Sequence, residues 1–194
     1  MPGLTSVTNV RNGAAMASDE IIGVVGGISA APRVTITRPA DTNIYAAGDA
    51  FNNSTGAPTV PVVTVGRIVA GTGLFTGMKA VDSAAQATKL GIQVLLFDTT
   101  FTALEDNAAI DMSDAEALRL VAIFEVGTSD WIATNATVGA GGNCVAQVGP
   151  AGNGHPGFVC LAGSQSLYVV VRVTNAYTPV SEEVLTLIFD IQQD

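Results

Sequence analysis

The chain has 194 residues, 48% of them apolar and only 13% charged, with a net charge of −9. A soluble protein usually carries about 25% charged residues, and so apolar a chain is not intrinsically disordered, because disorder needs the opposite balance. No apolar run approaches the roughly 20 residues of a membrane-spanning helix, and the basic residues stand singly from Arg11 to Arg172, unlike a counterion-displacing cluster that binds nucleic acid.

Residues 1–31 are rich in Gly, Ala, Ser, Thr and Asn, with one apolar stretch at 21–25. They read as an extended arm or a first edge strand, with Gly26, Gly27 and Pro32 marking the boundary to a domain at 32–194. From Arg33 onward the pattern predicts strands. VTITR at 34–38 alternates apolar and polar residues with the period of a half-buried strand. PVVTVGRIVAG at 61–71 is rich in β-branched residues, and GLFTGMKAV at 73–81 is expected to pair back on it as a hairpin. GIQVLLFD at 91–98 and LVAIFEVG at 120–127 are nearly continuous apolar runs, as in strands covered on both faces.

Between those runs lies the single helix signal. In MSDAEALRL, Ser113 precedes Glu116 by three residues, the spacing of a capping box, which predicts a short helix near 113–119. VGAGGNCVAQVGPAGNGHPG at 138–157 reads as a long surface loop or a glycine-opened hairpin, without the Lys or Arg that a phosphate-cradling loop would need. SLYVVVRVTN at 166–175 and EVLTLIFDIQ at 183–192 complete the set. In the last, Leu185, Leu187, Phe189 and Ile191 share one face, opposite Val184, Thr186, Ile188 and Asp190. Seven to nine short strands with one helix predict an all-β fold, a single β-sandwich with jelly-roll-like wiring.

Candidate chemistry is sparse. The only histidine, His155, sits in a loop, whereas a metal-dependent jelly-roll enzyme needs two or three. Asp98, Glu105, Asp106, Asp111, Asp114 and Glu116 could bind calcium, but their spacing is not that of an EF-hand and a solvated loop is the simpler reading. Glu105, Asp106 and Asp111 are the carboxylates a glycan-cleaving enzyme would use, with Trp131 and Tyr168 as its aromatic candidates. Trp131 would also be the stacking residue of a carbohydrate-binding module. Cys144 and Cys160 read as free, partly buried thiols, although a disulfide remains geometrically open. The expectation is therefore no catalytic residue, no cofactor and no metal.

Three segments carry a resemblance. VTITRPADTNIYAAGDAF at 34–51 resembles the opening strand and turn of a family of tailed-phage structural proteins of similar length. VLLFDTTFTALEDNAAIDMSDAEA at 94–117 resembles that family's Leu-Phe, Asp-Asn-Ala, Ser-Asp-Ala order, and AYTPVSEEVLTLIFDI its Tyr-x-Pro turn before a terminal strand. In physical terms these residues hold loops. Pro39 stops the first strand, Asp41 or Thr42 closes a turn, and Tyr45 and Phe51 anchor the returning chain around a second turn at Gly48 and Asp49. Asp106 and Asn107 fix the loop before the helix. The resemblance implies a virion structural protein, most specifically a capsid decoration or cement protein on the head exterior, assembled in the host bacterial cytoplasm and bound to the major capsid protein. A neck, baseplate or tail-fibre component is the alternative. The shortage of charge further suggests a homo-oligomer, a trimer or dimer, without nucleic-acid or membrane partners.

Overall fold

The computed structural model describes residues 28–134, 142–152 and 154–193. It is a sandwich of two antiparallel sheets. Eleven strands are defined among the described residues: β1 (Ile28–Ala30), β2 (Arg33–Thr37), β3 (Val62–Thr64), β4 (Thr72–Asp82), β5 (Ile92–Phe97), β6 (Leu120–Val126), β7 (Ile132–Ala133), β8 (Cys144–Val148), β9 (Gly157–Val159), β10 (Ser166–Val173) and β11 (Val184–Gln193). The seven-stranded sheet runs β1-β11-β4-β8-β7, with β2 also on β11 and β9 also on β4. The four-stranded sheet runs β3-β10-β5-β6.

The pairings nest. β2 pairs with β11, β3 with β10, β4 with β8 and β5 with β6, each antiparallel, like a ribbon folded on itself. Rolling that ribbon sets β11 beside β4 and β10 beside β5. This order, β2-β11-β4-β8 over β3-β10-β5-β6, is the wiring of a jelly roll.

Alternation explains the core. Val34 and Ile36 of β2, and Leu185, Leu187, Phe189 and Ile191 of β11, point inward from the larger sheet. Ile92, Val94 and Leu96 of β5, Phe124 of β6, and Leu167, Val169, Val171 and Val173 of β10 point inward from the smaller one. Phe124 meets Phe75 edge-on at 5.7 Å and Phe189 at 5.8 Å, joining the two layers. On β4 the period breaks. Asp190 is opposite Gly77 and Ile191 is opposite Phe75, so Thr76 is left over as a β-bulge. Gly73 and Phe75 face in before the bulge, and Met78, Ala80 and Asp82 face in after it. The bulge thereby turns a carboxylate, Asp82, into the interior.

The smaller sheet has a second apolar layer on its outer face. Leu95, Phe97 and Val170 pack there beneath Phe101, Leu104, Ile110 and Met112 of the β5–β6 connection. This is why the β5 run is apolar without alternation: it is covered on both faces. β6 shares the layer through Leu120 and Ile123, but Glu125 is exposed.

One expectation is overturned and two are refined. Residues 61–71 and 73–81 do not form a hairpin, because β3 lies in the smaller sheet and β4 in the larger. Strand β3 ends at Thr64, and residues 66–71 turn the chain across, with Ala70 in the left-handed region (φ 57°) and Gly71 N–H donating to Ile68 O. The glycine-rich 138–157 stretch is not only a loop or hairpin, since β8 within it pairs with β4. Its alternation of Cys144 and Ala146 with Val145 and Gln147 was masked by the surrounding glycines; residues 138–141 and 153 lie outside the described residues. Residues 28–30, within the segment read as an arm, form β1 on β11, the edge-strand alternative, and residues 1–27 are outside the described set.

The helix is shorter than expected. It is α1 (Asp114–Ala117), and the full capping box is present: Glu116 N–H donates to Ser113 Oγ, and Ser113 N–H donates to the Glu116 carboxylate. Glycine is needed at one strand position above all. A side chain at Gly73 would run into Gln192 O and lie 2.6 Å from the Phe158 ring. Gly73→Ala is expected to cost about 1–3 kcal/mol, the usual range for overpacking, measured as a lowered urea midpoint at unchanged m-value.

Candidate functional site

The residues that sequence reasoning singled out for chemistry do not converge. Glu105 and Asp111 are exposed, whereas Asp106 is buried and fully engaged with its neighbours. Asp114 and Glu116 sit in the first turn of α1, where the peptide dipoles favour negative charge, and Ser113 holds the Glu116 carboxyl below its usual range. Asp98 pairs with Arg119 at 2.8 Å. Among the described residues no three His, Cys, Asp or Glu side chains are grouped to hold a metal ion. His155 places Nδ1 3.2 Å from Phe75 O, at the rim of an open groove beside Leu120–Ile123 of β6.

The aromatic candidates are corrected by burial. Trp131 is a core residue whose Nε1–H donates to Leu90 O, so it offers no face to a sugar. Every other Phe and Tyr except Tyr168 is buried too, and Tyr168 packs on the outer apolar layer. A stacking platform for a carbohydrate-binding module or a glycan-cleaving enzyme is therefore absent, since all aromatic residues lie among the described residues.

What the fold does assemble is a buried polar chain at the end of the sandwich where β2 and β4 finish and β11 begins. Arg38 follows the last residue of β2, and its side chain is fully buried. It donates from Nε to Tyr45 Oη (3.1 Å), and from Nη2 to Asp41 Oδ1 (2.8 Å) and Asp106 Oδ2 (3.2 Å). Nη1 reaches the Asp41 and Val180 carbonyls. Asp106 Oδ1 accepts from Tyr45 Oη (2.6 Å) and Asn52 N–H (2.8 Å). One guanidinium and one carboxylate thus clamp three loops. Burial pushes the Asp106 carboxyl upward against the pull of those donors.

A second cluster continues behind it. Tyr177 Oη donates to Glu183 Oε1 (2.8 Å), and Val180 N–H donates to Glu183 Oε2 (2.8 Å). Glu183 faces Asp82, the residue the β4 bulge turned inward. Burial, then the neighbouring Glu183 charge, pushes Asp82 up to about 8, and burial raises Glu183 as well. Burial beside a second carboxyl favours the protonated form of Asp82. Cys144 Sγ lies 3.7 Å from Asp82 Oδ2, and burial with that charge pushes its thiol up to about 12. Cys160 is also buried and raised, and the two cysteines are free, as the sequence suggested. A thiol-specific reagent is therefore expected to label neither cysteine in the native protein and both in denaturant. Rapid native labelling of either would contradict the burial.

The loop-holding reading of 34–51 is met in detail. Asp41 Oδ1 accepts from Asn43 N–H, Asp49 Oδ2 from Ala46 N–H, and Gly48 takes φ +106°. Tyr45 stacks on Phe51 at 5.7 Å, both buried. Arg38, Glu183 and Asp82 were not recognised from sequence. Their signal was available only in hindsight, as charges set against strand ends in a chain with few charges.

No family model and no curated protein matches this sequence. Solved structures with partial likeness include a chain of the full particle of Israeli acute paralysis virus heated to 63 degrees. It has 12% identity and a TM-score of 0.31, over 94% of this chain and 73% of that one. Another is Triatoma virus, with 11% identity and a TM-score of 0.24, over 99% of this chain and 78% of that one. The jelly-roll assignment stands on the strand order alone.

Proposed function

We propose that this chain is a non-enzymatic virion structural protein. The observation that carries the reading is the use made of its polar groups. Arg38, Tyr45 and Asp106 are buried and bonded to one another, fixing long loops against the sheets rather than lining a cleft. A rigid jelly roll with closed loops suits a shell component, and the architecture recurs in capsid, lectin and cupin domains. A cupin-type site needs several histidines, and a lectin-type site needs polar or aromatic groups turned outward. The histidines are missing from a chain with His155 alone, and outward aromatic rings from one whose rings are buried or, for Tyr168, packed on the outer apolar layer.

The finer assignment is a decoration or cement protein that binds the major capsid protein on the head exterior as a homo-oligomer. It rests on the resemblance of residues 34–51 and 94–117 to tailed-phage structural proteins and on the low charge. A neck, baseplate or tail-fibre position is the competing placement within the same class. The test is a map of intact virions from the genome that encodes this chain, together with co-sedimentation of purified protein with empty capsids. The expected result is a two-sheet density of this wiring on the head surface and saturable co-sedimentation. Absence of the chain from purified virions would overturn the structural role, and density on the tail would overturn the decoration role alone.

A further inference from the structure

The central ladder of the larger sheet ends in a fork. Leu185 of β11 is opposite Asp82, the last residue of β4, and one step further Ser83 N–H still donates to Val184 O (3.0 Å). Beyond that point the two chains part. Residues 83–87 leave towards β5, and residues 176–183 arrive from β10. Asp82 and Glu183, both buried, stand where the arms divide, joined by a hydrogen bond between their side chains. A hydrogen bond between two carboxyls requires a proton on one of them.

The two carboxyls are held unequally. Glu183 accepts from Tyr177 Oη and Val180 N–H, and the Arg38 charge acts on it. The donors to Asp82 are neutral: Ala84 N–H (2.8 Å) and the Cys144 thiol of β8 (3.7 Å). Glu183 is therefore the acceptor of the pair and Asp82 its acid. Lys89, further along the β4–β5 connection, carries a charge that acts on Cys144, and Glu182 is exposed. The arms differ too. Residues 176–183 are tied to neighbouring loops: Tyr177 and Tyr45 exchange backbone bonds, Arg38 Nη1 donates to Val180 O, and Glu182 N–H donates to Pro39 O. Residues 83–86 hang mainly on the fork itself. Their bonds run to Asp82, Val184, Tyr177 and Thr178, and Ala85 N–H reaches out to Gly142 O.

We propose that the Asp82–Glu183 pair is a proton-operated clasp: with its proton it closes the fork, and without it residues 83–86 swing out while the sandwich stays folded. The driving force is local. An ionised Asp82 lays a second negative charge beside Glu183 in the interior, where an uncompensated charge costs most. Water is close on one side only, past the exposed Ala87 and Thr88, so the arm at 83–86 is the one that moves. Burial and the Glu183 charge push Asp82 up to about 8 in the closed fork, whereas a carboxyl in water ionises near about 4. The closed fork thus binds the proton more tightly than the open one. Opening should rise with pH by up to about tenfold per unit between those values, and level off above them.

Amide hydrogen exchange of the full chain, resolved by residue and divided by the intrinsic rate at each pH, reads the opening. From about pH 5 to about pH 8 the Ser83, Ala84 and Ala85 amides should lose protection about tenfold or more, at rates insensitive to low urea. Amides of β5 and β10 should stay better protected and respond to urea, because they open only with the whole fold. Asp82→Asn keeps the fork clasped at every pH, since its amide accepts from Ala84 N–H and donates to Glu183. Its fork amides should show no pH response. If that variant does not fold, Glu183→Gln replaces it; Asp82 then ionises beside a neutral side chain, and the loss of protection should shrink severalfold. Fork amides that exchange only together with β5 and β10, with the same urea dependence, would overturn the clasp and leave the buried proton to global stability alone. An unchanged pH response in the folded variant would overturn the assignment to this pair. Neither result bears on whether the chain is found in virions.

Discussion

Arg38→Met is expected to lower the stability of the fold by about 3–5 kcal/mol, the usual cost of removing one partner from a buried ion pair. The loss comes from what stays behind. Asp106 would keep its Tyr45 and Asn52 donors but lose the guanidinium, and the Asp41 and Val180 carbonyls would lose theirs. For a domain of this size, each kcal/mol shifts the melting temperature by roughly 2–4 °C, so the variant should melt roughly 6–20 °C below wild type. Asp106→Leu should cost a similar amount. The double variant R38M/D106L should recover part of the loss, because neither of the two buried charges is then left without the other; Asp41, which also loses Arg38, is partly exposed to water. Additive single losses in a denaturation cycle would show that the two residues act independently, against the geometry.

Stability is also expected to fall as pH rises from about 4 to about 8, through Asp82 and Glu183. Burial raises both carboxyls, and the Glu183 charge pushes Asp82 further, up to about 8. In that window the folded chain holds a proton that the unfolded chain releases, so the folded state binds more protons and the slope of unfolding free energy with pH is negative. The contribution is complete below the ordinary carboxylate pKa, near 4, and is lost by the time pH passes the folded value. Tyr177, Gln86 and the Cys144 thiol surround the pair and stay neutral there, the Arg38 charge acts on Glu183, and the Lys89 charge acts on Cys144. Asp82→Asn keeps an oxygen for Ala84 N–H and removes the titrating group. Urea midpoints from pH 4.5 to 9 should show a shallower decline for the variant and a higher midpoint than wild type at pH 9. Equal slopes would place the proton elsewhere.

The legible part of this protein was local. Alternation in VTITR and EVLTLIFDIQ set both strands and their inward faces, because one buried face imposes a period of two. The Ser113–Glu116 spacing set the helix start, since capping is a contact within one turn. Turn chemistry at Asp41, Gly48 and Asp49 was equally readable, for the same reason. The nearly continuous apolar run of β5 signalled cover on both faces, but only the structure identified its cover as the chain at 98–113.

Tertiary structure decided everything that depends on distant partners. The turn-like residues at 66–73 could serve a hairpin or a crossing between sheets, and the choice of crossing was made by β10 and β11, about a hundred residues further on. The bulge at Thr76 arises from register against β11, and it turned Asp82 from an outward position into a buried one. Arg38 met Asp106, and Asp82 met Glu183, because the jelly-roll wiring returns those strand ends to one place. The same wiring drew Trp131 into the core, with its Nε1–H on Leu90 O. Composition showed a shortage of charge, a property of the whole chain. That β1 flanks β11 and β9 flanks β4 is long-range pairing which no local pattern records.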